Sequence, residues 1–239
     1  MFKIKIAEIN ILVHNKYKYS EYLCREYITE EEHTDFEVSA SENSISEEIA
    51  NSDIKTVAAY AESVCLHREI AERLAEYDAF LLHSALIECE DIGVAFAAKS
   101  GVGKSTHITL WQKNFGEKVK IINGDKPIVR FLNGKMYAYG TPWLGKEGYG
   151  ENSSCEFKAL CFIERGEKNS IEELRADLAA MMIFGQIYLP THAENAEKTL
   201  ELADKFASSV KFFRLSCNME DEAALVSYNA IIKGERYEN

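Results

Sequence analysis

Between positions 98 and 106 the chain reads Ala98-Lys99-Ser100-Gly101-Val102-Gly103-Lys104-Ser105-Thr106. The apolar run Ile92-Gly93-Val94-Ala95-Phe96-Ala97 precedes it, and a helical pattern opening at Ser105 follows it. Strand, glycine-rich loop and helix in that order make a phosphate-binding loop. Glycines let backbone N–H groups face a phosphate with no Cβ in the way. The positive end of the following helix adds to the attraction. Ser100, Gly101, Val102, Gly103, Lys104, Ser105 and Thr106 are therefore the expected nucleotide contacts. Lys104 would reach the β- and γ-phosphates of ATP, and Ser105 would offer its hydroxyl to Mg²⁺. The first motif position is Ala98 where glycine is usual, which is tolerable if its φ stays negative. The plainer alternative is a glycine-rich turn with an incidental Gly-Lys-Ser, and the flanking pattern argues against it.

Phosphoryl transfer also needs a carboxylate, for the metal or for the acceptor's proton. Asp125 is the leading candidate, just past an apolar strand at 118–122 in the run Asn123-Gly124-Asp125. Base and metal-ligand roles both stay open for it, beside the plainer reading of a turn. His83 sits on the apolar run 80–87, where it either faces the transferring phosphate or is a hydrogen-bonded core residue. The loop 140–152 is rich in glycine, and loops of that length and composition usually carry function. Its Lys146 is the natural cation for the phosphoryl group in flight. Trp143 would pack or stack, and Glu147 and Asn152 are solvated or contact substrate. Arg165 and Gln186 have no assignable place without a fold.

The elements that must position these groups follow from periodicity. Residues 1–13 open with strand alternation, and 14–52 read as charged and irregular around one short alternating run at 36–40. A helix is expected over 53–77, capped by Ser52 or Asp53. The run 80–87 then turns at 88–91 straight into the strand that feeds the glycine loop, so these two strands are antiparallel. After the loop helix (105–114) and the strand at 118–122, strands 127–132 and 135–139 are joined by Asn133-Gly134, a strong hairpin signal. A strand at 157–164 and helices at 170–184, 193–208 and 219–232 complete the chain, with a strand at 210–215 between the last two helices. The division expected is an attachment of strand, loop and helix over 1–77 and a phosphate-loop core with carboxy-terminal helices over 78–239.

Composition narrows the partners. The 239 residues carry 27 basic and 39 acidic side chains, a net charge of −12. That balance argues against nucleic acid or an anionic membrane as partner. The basic residues placed near the loop by this reading are few: Lys99, Lys104, Lys126 and Arg130. The six cysteines form no C-x-x-C pair and, with no signal peptide, read as reduced thiols of a cytoplasmic protein. Zinc spacing is absent.

The order of His83, a hairpin, the loop Ser100-Gly101-Val102-Gly103-Lys104-Ser105 and an acid after the next strand resembles the HPr kinase/phosphorylase superfamily. That superfamily's core is related to ATP-dependent phosphoenolpyruvate carboxykinase. The resemblance spans roughly residues 78–165. It implies an α/β fold on a mixed, largely antiparallel sheet. His83, Lys104 with Ser105, and Asp125 would then surround the phosphates. The family's paired acids correspond here to Gly124-Asp125 or Asp125-Lys126, and its arginine-glycine signature has no match. The implied member is a divergent, kinase-only one. The expected activity is ATP-dependent transfer to a hydroxyl of a small molecule, such as an amino acid or polyol, or of a serine in a peptide or protein. A non-catalytic nucleotide-binding regulator and an HPr-type protein serine kinase are the alternatives. The acceptor's identity and any homo-oligomer stay open.

Overall fold

Alternating burial builds the first sheet. In the computed structural model, which describes residues 1–52, 55–99 and 101–235, Phe2, Ile4 and Ile6 point inward from strand β1 (Phe2–Ile6). The opening strand proves to be a hairpin. Ala7 and Glu8 both take positive φ, at 52° and 59°, and return the chain as β2 (Ile9–His14). Neither residue is a customary left-handed former, so the turn left no signal. Strand β3 (Phe36–Ser39) adds in parallel to β2 and completes a three-stranded sheet.

The stretch expected to be irregular holds two helices, α1 (Lys18–Leu23) and α2 (Glu42–Asn51). Ser41 caps α2 by accepting from the Ser44 N–H. Only Ile45 of α2 is buried, so its hydrophobic period is almost invisible. The first turn of α1 is held from outside. Glu62 of α3 (Ala58–Arg73), itself fully buried, accepts from the Lys16 and Tyr17 amides and from the Ser20 hydroxyl. Helix α3 starts at Ala58, so Ser52 does not cap it, and Asp53 lies outside the described residues.

The second sheet has nine strands: β4 (Ala79–Leu81), β5 (Ala85–Cys89), β6 (Ile92–Ala97), β7 (Val119–Asn123), β8 (Ile128–Leu132), β9 (Lys135–Tyr139), β10 (Ser154–Arg165), β11 (Ser170–Glu173) and β12 (Lys211–Cys217). The main path runs β4-β8-β9-β10-β6-β5-β7, with β12 pairing both β10 and β11. Among the described residues β10 is parallel to β6 and β12, and every other pairing in this sheet is antiparallel. The expected mixed, largely antiparallel α/β architecture is what forms. The β5–β6 hairpin and the Asn133-Gly134 hairpin both appear, the latter with φ of 52° and 80° at its turn residues.

Two expected elements are different. The run 80–87 is not one strand: β4 pairs with β8, whereas β5 pairs with β6 and β7. Between them the chain leaves the ladder, with Leu82, His83 and Ser84 amides donating to Pro127, Gln186 and Asp125 carbonyls. His83 therefore stands in a connection and not on the strand beside β6. Continuous apolar residues concealed the break. The helix expected over 170–184 begins as β11, whose Ile171 is buried while Glu172 pairs with Arg214 across the ladder. Only α5 (Ala176–Ile183) is helical there.

Helices α4 (Lys104–Phe115) and α7 (Asp221–Ile231) cover one face through Phe96, Ile108 and Trp111. Helix α5 and α6 (Ala193–Ser209) cover the other through Phe80, Phe157 and Phe206. The three-stranded sheet and α3 share a third cluster with Leu81, Ile128 and Tyr139 of the larger sheet. All six cysteines are buried and free. No helix among the described residues is long and apolar enough to cross a membrane.

Burial pushes two histidines, His67 on α3 and His107 on α4, down to about 3 from the usual 6.5. Both rings are therefore neutral when folded and charged when unfolded below 6.5. Their contribution to stability is complete above pH 6.5 and declines as pH falls towards 3. Each should remove up to about 1.4 kcal/mol per pH unit once the unfolded ring is protonated. Chemical denaturation between pH 7 and 5 should show this loss, ahead of carboxylate titration. A midpoint flat across that interval would mean that both rings are charged in the fold.

Candidate functional site

The sheet gathers its polar groups at one edge. Strand β7 runs in the same direction as β6, each being antiparallel to the intervening β5. The glycine loop after β6, the turn after β7 and His83 before β5 consequently meet. Gly101 and Gly103 adopt φ of 76° and 128°, which only glycine takes without strain, and Ala98 keeps a negative φ. The His107 amide donates to the Gly103 carbonyl at 2.9 Å and starts α4, which has no side-chain cap. The hydroxyls of Ser105 and Thr106 stand half-buried in that first turn. Ser100 lies outside the described residues.

One carboxylate oxygen joins the chemistry. Asp125 Oδ1 lies 3.1 Å from Lys104 Nζ and 3.2 Å from His83 Nε2, while Lys126 Nζ is 3.5 Å from Oδ2. Burial alone would raise the Asp125 carboxyl. The hydrogen bond from His83 and the charges of Lys126 and Lys104 outweigh it and hold the group well below the usual carboxylate range. Burial is also the largest influence on Lys104 and lowers its ammonium, against the pull of Asp125.

Asn123 sets the position of that acid, and the sequence reading passed over it. Its fully buried side chain accepts from the Asp125 amide at 2.9 Å and the Lys126 amide at 2.6 Å. Its Nδ2 donates to the Thr141 carbonyl at 3.1 Å and to the Thr141 hydroxyl at 3.0 Å. The Thr141 hydroxyl in turn donates to the Lys126 carbonyl at 2.8 Å. A clue was legible, because asparagine at a strand end before Gly-Asp is a natural former of such side-chain turns. Arg165 was also left unplaced. It closes over the glycine loop by donating to the Gly101 and Val102 carbonyls. No local signal links residues so far apart in sequence.

The loop 140–152 is pinned at both ends. Trp143 turns inward, donating to the Ser63 carbonyl at 3.1 Å and stacking on His67 with centroids 4.4 Å apart. Asn152 donates to the Glu26 carbonyl at 2.7 Å. Between them the tip crosses the acid: a Cβ on Gly145 would stand 3.0 Å from Asp125 Cβ, and the Gly124 amide donates to the Tyr149 carbonyl at 2.9 Å. Glu147 is near enough to act on the Lys104 charge. Lys146 itself is exposed and has no hydrogen bond or ion pair among the described residues. Arg130 points elsewhere, donating at 2.6 Å to the Ala7 carbonyl of the first hairpin. Gln186 contributes its carbonyl, which receives the His83 amide at 2.7 Å.

No family model matches this chain, and no curated protein matches it. Among solved structures, the Hpr(Ser) kinase/phosphatase from Coxiella burnetii aligns with a TM-score of 0.36 and 9% sequence identity, covering 64% of this chain and 97% of that one.

Asn123→Ala should cost about 2–4 kcal/mol, since it strands two part-buried backbone amides at the turn and removes the donor to Thr141. Urea denaturation reads this directly. A midpoint within experimental scatter of the parent would show that the turn holds its shape without the amide.

Proposed function

We propose that this protein is an ATP-dependent, Mg²⁺-assisted kinase that transfers the γ-phosphoryl group to a hydroxyl acceptor. The observation that carries the reading is the convergence of Lys104, Asp125 and His83 beside a glycine loop and an uncapped helix start. The acceptor is a small molecule, such as an amino acid or polyol, or a serine in a peptide. The net charge of −12 disfavours an acidic protein.

In this reading, the loop amides and Lys104 hold the phosphate chain. The Lys104–Asp125 pair is then the resting state of the site. An arriving phosphate chain draws the ammonium to itself, and Asp125 loses a stabilising charge and becomes a better proton acceptor. The acceptor oxygen forms its bond to the γ-phosphorus as the bond to the bridging oxygen breaks. The hydroxyl proton passes to Asp125, and ADP leaves. His83 and Lys126 keep the carboxylate oriented, and Lys146 on the overlying tip meets the charge on the transferring group.

Mg²⁺ prefers a few protein oxygens supplemented by phosphate and water. The Ser105 hydroxyl, without a partner among the described residues, and the Asp125 carboxylate fit that demand. No group of three or more His, Cys, Asp or Glu side chains among the described residues forms a self-sufficient metal cage. When bound, the ion would neutralise phosphate charge.

Lys104→Ala should lower phosphoryl transfer by about 10²–10³-fold, the equivalent of about 2–4 kcal/mol of charge-assisted stabilisation. Retention of full ATP turnover by the folded variant would refute the phosphate role. Asp125→Asn should keep ATP binding by calorimetry and reduce turnover by about 10²-fold or more if the acid takes the proton. A changed Mg²⁺ requirement would instead mark it as the metal ligand, and unaltered kinetics would exclude both roles. Lys146→Ala should leave ATP affinity within about threefold, cut transfer by about 10²-fold and barely move the melting temperature. Parent-like transfer would remove Lys146 from the mechanism.

A further inference from the structure

We propose that the cavity on the far side of the glycine loop is a nucleobase subsite that takes a purine ring. This rests on the kinase reading above for the phosphates. The cavity has a volume of about 290 Å³ and opens between the start of α4 and the carboxyl ends of β10 and β12. That size is near the lower end for small-molecule pockets.

Topology places the cavity at the correct end of a nucleotide. In the sheet order, β5 and β7 lie on one side of β6, and β10 and β12 on the other. His83 and Asp125 belong to the first side, while Arg165 and Asn218 border the cavity on the second. The glycine loop and Thr106 stand between them. A triphosphate lying over the loop with its terminal group at Lys104 and Asp125 therefore delivers its nucleoside to the cavity. Open α/β sheets bind ligands at this carboxyl edge.

The lining has the chemistry of a base site. Leu110, Ile163 and Met219 supply apolar wall. Two residues lining that wall carry a polar atom without a partner among the described residues. His107 is 2% exposed, and its Nε2 lies 3.1 Å from both the Trp111 indole nitrogen and Ser227 Oγ. Nε2 is thereby engaged, and Nδ1 is the ring nitrogen left over. That buried Nδ1 has no partner among the described residues. An unpaired buried polar atom is costly and calls for a partner. Asn218 uses Oδ1 to accept from the Glu220 amide at 3.0 Å, which leaves its Nδ2 without a protein partner among the described residues. Purine ring nitrogens are acceptors and match the Asn218 donor, and a purine edge that also carries an exocyclic group can pair with His107 Nδ1. The Arg165 guanidinium, held at the rim by the Gly101 and Val102 carbonyls, offers a flat cation for stacking.

Calorimetry with Mg²⁺ and either ATP or inorganic tripolyphosphate separates base from phosphate binding. The parent protein should bind ATP at least tenfold more tightly than tripolyphosphate. Asn218→Asp retains the acceptor for the Glu220 amide but replaces the donor with a carboxylate. It should weaken ATP at least fivefold and leave tripolyphosphate within about twofold. Photolabelling with 8-azido-ATP, mapped by peptide mass spectrometry, should mark segments carrying Leu110 or Met219. Equal affinity for the two ligands, or labelling confined to other segments, would overturn the base subsite and spare the phosphate reading. Binding of neither ligand would overturn both.

Discussion

The buried amide of Asn123 is the interaction on which the geometry of this molecule depends. It lies where β7 ends, and its single side chain satisfies backbone groups on two segments separated by a hairpin. A buried polar network is stabilising only when every member is paired. Here the amide meets that condition, with its oxygen and its nitrogen each engaged twice. The pairing forces the Asp125 turn and the root of the 140–152 loop to keep one mutual position. The acid is thereby offered to Lys104 and His83 by a rigid mount and not by a free loop.

A protein with net charge −12 would repel a polyanion at long range, so any anion site must be electrostatically local. The basic side chains are indeed concentrated. Lys104, Lys126 and His83 surround one carboxylate, and Arg165 caps the loop beside them. Within a Debye length these groups outweigh the distant acidic surface. The cluster is also short of anions by itself, since one carboxylate faces two lysines.

Local geometry was legible in the sequence wherever it was written in consecutive residues. Asn133-Gly134 announced its hairpin, 88–91 announced the antiparallel return into β6, and the glycine loop announced the start of α4. The place of Asp125 beside the glycine loop was legible because a strand and an acid stood next to each other. What escaped was set by distant partners. Helix α1 depends on Glu62, more than forty residues later, for its capping interactions. Strand β11 has helical-looking residues and becomes a strand because β12 presents an open edge to it. His83 leaves the ladder because Gln186 and Asp125 receive its neighbourhood's amides. Propensity says nothing about such bonds.

The pinning of the 140–152 loop has a kinetic meaning. Trp143 is fastened to α3, Glu151 pairs with Lys120 at 2.7 Å, and Asn152 is tied to the segment after α1. Between those ties, the stretch Gly145-Lys146-Glu147-Gly148 is exposed. If a segment that short, flanked by glycines at φ of 77° and 67°, rearranges at all, small-loop motion falls in the nanosecond-to-microsecond range. Its opening is then too fast to set the pace of a reaction cycle running at ordinary enzymatic rates. The waiting time of such a cycle would belong to bond making or to departure of the product, and the tip would behave as a latch that follows its contents.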